Sequence, residues 1–248
     1  MSRPRENSPG SASETGRRRR FRAVVTDVDG TLTDEGRRLD PVAVRSVRRV
    51  EDRGFPVVLA TGNVLPIALA LYRSLGLSGP IVAENGGLLY RKDADGRDVV
   101  ARLADPLVAR EAFEALVRAG LPVRRLFTDR WRESEVALEP TVAVAKVRRC
   151  LEGLPVHVES TGYAIHLMEQ GAGKLPALVR ALAYLGLAPS DCVILGDGDN
   201  DVRMLRAAGF GVSFASGSPR ARRAARYVTR ASYAAGFVEG LKASGILA

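Results

Sequence analysis

Short apolar segments alternate with helical segments along most of this chain, and this alternation restricts the possible folds more than any other feature. Ala23–Thr26, Pro56–Ala60 and Pro80–Ala83 are almost continuously apolar, as strands covered on both faces are. Residues 41–53 and 64–75, which separate them, carry helix start and stop signals. The pattern predicts an α/β fold built on a Rossmann-like parallel sheet.

The alternation is interrupted in the middle of the chain. Residues 88–103 are typical of a hairpin with Asp95-Gly96 at its turn, and two helices and a further strand pair follow. The strand–helix alternation resumes after residue 168. We therefore predict a core of residues 21–87 and 169–248, with an inserted α+β cap domain at 88–168.

Charge and cysteine content narrow the class of protein. The net charge is +9, and residues 1–20, rich in Arg, Ser, Pro and Gly, predict a disordered basic tail. Aromatic residues do not alternate with the arginines, which argues against a nucleic-acid partner. No apolar run approaches the roughly 20 residues of a membrane helix, so we expect no membrane partner. With only Cys150 and Cys192 and no secretory signal, we expect a cytoplasmic location.

Polar clusters follow three of the predicted strands. They read Thr-Asp-Val-Asp-Gly-Thr-Leu-Thr at 26–33, Ala-Thr-Gly-Asn at 60–63 and Gly-Asp-Gly-Asp-Asn-Asp at 196–201. Because parallel strands bind ligands at their carboxyl ends, we expect these loops to converge on one crevice. Crowded carboxylates require a compensating cation, and oxygen ligands without His or Cys favour Mg²⁺.

The residue types in these clusters suit phosphoryl transfer. Asp27 and Asp29 are one residue apart and can face the same crevice. One carboxylate can attack phosphorus to form an aspartyl-phosphate, and the other can protonate the leaving oxygen and later activate water. The Thr61 hydroxyl and the Lys174 cation would offset the repulsion between the attacking anion and the phosphate.

Taken together, the motifs resemble those of the haloacid dehalogenase superfamily of phosphatases, in its Cof-like branch. The resemblance rests on the motifs at 27–33 and 196–201, with Thr61 and Lys174 in the expected order between them. Within that branch, Thr-Gly-Asn-Val at 61–64, Ala-Glu-Asn-Gly-Gly at 83–87 and the compact insert are similar to archaeal phosphoglycolate phosphatases.

The resemblance implies a role for each motif. Asp27 would be the nucleophile and Asp29 the general acid and base. The implied substrate-binding residues are Thr61, Gly62, Asn63 and Lys174. The implied Mg²⁺ site consists of Asp27, the backbone carbonyl of Asp29, Asp197 and Asp201, the last as a ligand or as support for the others.

The implied substrate is a small phosphorylated metabolite, with 2-phosphoglycolate as the first choice. Phosphatase activity on a sugar phosphate or a phosphoglycerate derivative is the alternative, as is a non-catalytic phosphate-binding regulator. The substrate carboxylate needs a cationic partner, for which the cap offers Arg124, Arg125, Arg130 and Arg132. His157 and His166 are expected to be packed or surface residues rather than catalytic ones, and the protein is expected to be a monomer or homodimer.

Overall fold

The computed structural model describes residues 21–247 and contains one eight-stranded and one three-stranded sheet. The strands are β1 Ala23–Thr26, β2 Val57–Ala60, β3 Ile81–Ala83, β4 Leu88–Lys92, β5 Asp98–Arg102, β6 Val136–Leu138, β7 Val156–Ser160, β8 Ile165–Glu169, β9 Cys192–Leu195, β10 Phe210–Ser213 and β11 Tyr227–Val228. The helices are α1 Pro41–Asp52, α2 Leu65–Leu75, α3 Pro106–Arg118, α4 Val144–Cys150, α5 Lys174–Ala183, α6 Val202–Ala207, α7 Pro219–Ala224 and α8 Tyr233–Ala243. The predicted tail at 1–20 lies outside the described residues.

The large sheet has the order β11-β10-β9-β1-β2-β3-β4-β5. Its strands from β11 to β3 are parallel to one another, whereas β4 is antiparallel to both of its neighbours, β3 and β5. The chain proceeds from β1 to β2 on one side, whereas β9 pairs with β1 on the other. The carboxyl ends of β1 and β9 therefore flank a topological switch point, where α/β sheets form their binding crevice. The predicted α/β, Rossmann-like fold is confirmed.

Helices cover both faces of this sheet because its central strands are apolar on both faces. In β1, Val24 packs with α1, α2 and α8, whereas Ala23 and Val25 pack with α5, α6 and α7.

Local sequence signals determine where the helices begin and end. The Asp40 side chain accepts a hydrogen bond from the Val42 amide at the start of α1. Gly76 ends α2 in the left-handed conformation, with φ of 71°.

The hairpin of β4 and β5 differs from its predicted position. We assign it above to the inserted cap, but β4 pairs with β3, so that Tyr90 lies opposite Ile81 in the large sheet. The reason is burial on both faces: Leu88 and Tyr90 pack on one side of the sheet and Leu89 on the other. The hairpin thus extends the core sheet, and the exact domain boundary stays a prediction.

The second layer is an antiparallel sheet of order β6-β8-β7, packed against α3 and α4. It has its own apolar core, which includes Leu116, Leu138 and Leu167. Strand β6 is absent from the sequence prediction, in which two helices and one strand pair follow the hairpin. Between residues 21 and 247, the helices are all too short or too polar to cross a membrane.

Candidate active site

Three aspartates from the loops after β1 and β9 meet at the switch point. Asp27 follows β1 directly, and Asp197 and Asp201 lie in the loop between β9 and α6. One carboxylate oxygen from each of them lies within 4.8 Å of the others. The structure therefore brings Asp27 together with two aspartates that lie about 170 positions further along the chain.

Lys174, the first residue of α5, is buried and contacts two of these three aspartates. Its Nζ donates a hydrogen bond to Asp27 Oδ1 at 2.8 Å and another to Asp201 Oδ1 at 2.7 Å. Burial alone would lower the pKa of Lys174, but Asp201 and Asp27 raise it above its ordinary value. The lysine is therefore a permanent cation at this point of the crevice.

One lysine does not neutralise three carboxylates. Burial raises the pKa of Asp27 well above its ordinary value, and Lys174 opposes this rise while Asp201 and Asp197 add to it. Burial and Asp201 likewise raise the pKa of Asp197 to about 7. Because the site disfavours ionised carboxylates, a further cation bound there would stabilise their ionised form. Its close-set, all-oxygen donors suit a hard divalent cation, so the residues present fit such an ion.

A glycine lets the first loop approach Asp197 closely. Gly30 has φ of 75°, and a Cβ built on it would lie 2.3 Å from Asp197 Oδ2. Thr31 then donates a hydrogen bond from its hydroxyl to Asp197 Oδ1 at 3.3 Å. The Gly-Thr pair that follows Asp29 therefore joins the loops after β1 and β9.

Asp29 lies apart from the three-carboxylate cluster. Its side chain, about one-third exposed, forms an ion pair with Arg37 at 3.0 Å and accepts a hydrogen bond from Asn63 Nδ2 at 2.7 Å. Arg37 is a contact that our sequence analysis does not predict, because nothing in the local pattern distinguishes it from a solvent-exposed loop arginine. The contribution of the Asp29 carbonyl to a metal site stays a prediction.

The loop after β2 forms another wall of the crevice. Thr61 is buried, and its Oγ1 accepts a hydrogen bond from the Asn63 amide at 3.0 Å. Gly62 and Asn63 line a cleft of about 810 Å³ that Asp27 and Asp29 also line. The predicted substrate-binding residues Gly62 and Asn63 thus line the same cleft as the predicted nucleophile, Asp27.

The cap contributes residues that the sequence analysis misses or leaves undecided. Arg132 reaches into the cleft and donates a hydrogen bond from Nη1 to the Gly62 carbonyl at 3.0 Å. It also forms an ion pair with Glu135, which lies 3.1 Å from His166 Nδ1. His166 is buried as expected, but it lines the cleft. The sequence signals for this group are the charged pair Arg132 and Glu135, three residues apart, and His166 within an apolar strand.

A divalent cation is expected to stabilise the metal-free protein more at pH 8 than at pH 5. The folded-state pKa of Asp197, about 7, lies above its ordinary value of 3.8. The protein without cation therefore loses stability as pH rises through this range, and a cation reverses the loss by binding the ionised carboxylates. In thermal melts with and without MgCl₂, we expect the increase in Tm to be at least about 3 °C larger at pH 8.

The matched control is Asp197→Asn, which should lose most of the cation-dependent increase in Tm at pH 8. Equal increases at the two pH values, or an undiminished increase in the variant, would contradict a cation site at these carboxylates.

Comparison with known proteins gives three concordant findings. A family model described as haloacid dehalogenase-like hydrolase matches residues 24–132 and 143–241. A relative from Methanothermobacter thermautotrophicus named phosphoglycolate phosphatase is 38% identical over 222 residues, which cover 90% of this chain and 98% of the relative. One of the same name from Methanoculleus marisnigri is 40% identical over 229 residues, with coverages of 90% and 96%.

Solved structures agree with the fold. A crystal structure of a protein from Thermoplasma acidophilum matches with a TM-score of 0.83 and 28% identity, covering 92% of this chain and 99% of that one. A phosphatase of the haloalkanoate superfamily from Bacteroides thetaiotaomicron matches with a TM-score of 0.75 and 20% identity, covering 96% and 100%. At that identity the second likeness shows the fold alone.

Proposed function

The chain belongs to the haloacid dehalogenase-like hydrolases, and from this premise we propose that it hydrolyses 2-phosphoglycolate to glycolate and phosphate with Mg²⁺ as cofactor. Two kinds of observation support the proposal. The relatives from M. thermautotrophicus and M. marisnigri are named phosphoglycolate phosphatase. In the structure, the Asp27 carboxylate lies at the switch point, where it accepts a hydrogen bond from Lys174 and lies next to Asp197 and Asp201. This second observation carries the proposal of phosphoryl transfer.

In the first step, an oxygen of the Asp27 carboxylate attacks phosphorus. The new Asp27 O–P bond forms as the bond from phosphorus to the substrate's bridging oxygen breaks, and Asp29 gives a proton to the departing oxygen. Lys174 holds Asp27 Oδ1 through its 2.8 Å hydrogen bond and so orients the carboxylate. Its positive charge also reduces the repulsion between the carboxylate and the phosphate.

In the second step, Asp29, now ionised, removes a proton from a water molecule. The resulting hydroxide attacks phosphorus, the Asp27 O–P bond breaks, and phosphate leaves with Asp27 restored as a carboxylate. Asn63 and Arg37 hold the Asp29 side chain at the edge of the cleft. We expect Thr61 and the backbone of Gly62 and Asn63 to bind the phosphoryl oxygens.

Asp27, Asp197 and Asp201 would hold the Mg²⁺ ion, with the Asp29 carbonyl as a further ligand. When bound, the ion supplies positive charge that screens the phosphoryl oxygens and the crowded carboxylates. Asp201 also has a structural part, because its Oδ2 accepts hydrogen bonds from the amides of Asp197 and Gly198 and so shapes the loop.

Purified protein is expected to release phosphate from 2-phosphoglycolate with a kcat/KM at least about tenfold above that for glucose 6-phosphate or 3-phosphoglycerate, and EDTA should abolish the release. Higher efficiency on one of these other esters would make that ester class the substrate. Binding of phosphate without Mg²⁺-dependent turnover of any ester would indicate a phosphate-binding regulator instead.

The cytoplasmic location and the monomeric or homodimeric state stay predictions. The proposed partner is a small phosphorylated metabolite, and the cleft of about 810 Å³ is large enough to hold one.

A further inference from the structure

We propose that Arg132 binds the carboxylate of the substrate and so determines its selectivity for carboxylate-bearing phosphate esters. The inference rests on the proposed function and adds the residue that distinguishes such an ester from other small phosphate esters. It is carried by the position of Arg132, by its unused hydrogen-bond donors and by the contacts that hold it in place.

The position places a cation next to the phosphoryl site. Arg132 comes from the cap but donates to the carbonyl of Gly62, one residue beyond Thr61 in the loop predicted to bind the phosphoryl group. In 2-phosphoglycolate only one oxygen and one carbon separate the phosphorus from the carboxyl carbon. A group that binds the carboxylate must therefore lie directly beside the phosphate loop, as Arg132 does.

The guanidinium of Arg132 is only partly used. Its side chain is 5% exposed, and both of its hydrogen bonds within residues 21–247 start from Nη1. Nε is buried and has no hydrogen-bond partner among the residues described. A buried donor without an acceptor costs free energy, and Nε and Nη2 together form an edge that suits a carboxylate. Arg132 also lines the cleft of about 810 Å³ that Asp27 and Asp29 line.

Buried neighbours hold this arginine. Glu135, with a side chain 1% exposed, forms an ion pair with Arg132 and lies within hydrogen-bond distance of His166 Nδ1 and Asn85 Nδ2. Burial would raise the pKa of Glu135, but His166 and Arg132 lower it below its ordinary value, so the residue stays ionised. Glu135 is therefore a positioning residue whose carboxylate is already satisfied.

The segment around Arg132 is also tied to the core. The buried carboxylate of Glu84, just after β3, accepts hydrogen bonds from the Glu133 amide at 3.1 Å and the Ser134 amide at 2.9 Å. Ser134 Oγ donates to the same carboxylate at 2.6 Å. The residues next to Arg132 are thus fixed against the parallel sheet, which sets the distance between the arginine and the phosphate loop.

The other candidate arginines of the cap do not occupy the cleft. Arg124, Arg125 and Arg130 are exposed and do not line it. Arg125 pairs with Asp129, and Arg130 lies over the ring of Phe127. Of the four arginines considered in the sequence, the structure selects Arg132.

The test compares 2-phosphoglycolate with ethyl phosphate, which has a methyl group in place of the carboxylate. Arg132→Gln is expected to lower kcat/KM for 2-phosphoglycolate about 10- to 100-fold more than for ethyl phosphate, mainly through KM. Arg130→Gln, the matched control, should change either value by less than about twofold. Arg132→Lys keeps the charge but lacks the planar fork, so we expect an intermediate loss of selectivity.

The outcomes separate this inference from the proposed function. Equal losses on both esters in Arg132→Gln and Arg132→Lys, or a parent protein without preference for 2-phosphoglycolate, would overturn the role of Arg132 and leave a phosphatase. No hydrolysis of either ester by the parent protein would overturn the proposed function, and the inference with it. If thermal melts show that Arg132→Gln does not fold, the ratio of kcat/KM values for the two esters in Arg132→Lys tests the inference instead.

Discussion

Replacing Asp27 with Asn is expected to lower kcat by at least about 10³-fold while the protein stays folded, because the amide has no anionic oxygen to attack phosphorus. The substitution keeps the shape of the side chain. It also removes one of three crowded carboxylates, whose ionised form burial, Asp201 and Asp197 already disfavour. We therefore expect the Tm to change by only a few degrees. Single-turnover phosphate release, with mass spectrometry of the acid-quenched protein, measures both the rate and a phosphoryl adduct on Asp27.

Asp199→Asn is the matched control for this experiment. Asp199 belongs to the same acidic motif, but it pairs with Arg220 and accepts a hydrogen bond from Ser218 instead of joining the three-carboxylate cluster. Its substitution should lower kcat by less than about fivefold. Activity of Asp27→Asn within tenfold of the parent, or a phosphoryl adduct elsewhere in the chain, would show that Asp27 is not the nucleophile.

Lys174→Met is expected to lower kcat/KM by about 10²- to 10³-fold and to destabilise the protein by about 3–5 kcal/mol at pH 7.5. Lys174 donates hydrogen bonds to both Asp27 and Asp201 from a buried position, so its loss leaves two carboxylates without their cation. Methionine approximately conserves the volume, so that a cavity does not account for the effect. Urea unfolding at two pH values measures the loss.

The pH dependence distinguishes this electrostatic effect from a packing defect. Lys174 is the main influence that lowers the pKa of Asp27. Without it the folded-state pKa values of the cluster rise further above their unfolded values. The deficit in the free energy of unfolding should then be largest above the folded-state pKa values of these carboxylates and become smaller as pH falls below them. A deficit that is the same at pH 7.5 and pH 5.5 would contradict this account.

Lys146→Met, on the exposed surface of α4, is the matched control for Lys174→Met. It should change the free energy of unfolding by less than about 0.5 kcal/mol at either pH and leave kcat/KM near the parent value.

The local sequence was enough to predict the elements that build the core. Asp40 and Gly76 are cap signals that act within one helical turn, and the structure has helix ends at both places. The apolar runs of β1 and β9 predict buried parallel strands, and parallel strands collect their following loops at one edge of the sheet. That rule is sufficient to predict from the sequence that Asp27 and Asp197 lie in one crevice.

Contacts between segments that are distant in sequence could be identified only from the tertiary structure. The sequence of the β4–β5 hairpin is compatible with a place in the core or in the cap. Its pairing with β3 shows that it belongs to the core sheet. The ion pair between Asp29 and Arg37 likewise depends on how the loop after β1 folds back. Neither contact follows from propensity, because hairpin signals and loop charges do not specify their partners.

The sequence alone determined that the aspartates of the core site meet, because they follow strand ends whose direction the α/β pattern already sets. Only the tertiary structure decided which arginine of the cap enters the cleft. Arg132, Glu135 and His166 meet Gly62 through the packing of a separate antiparallel layer against the parallel sheet. Packing of this kind is the sum of many weak long-range contacts, and no local run of residues encodes it.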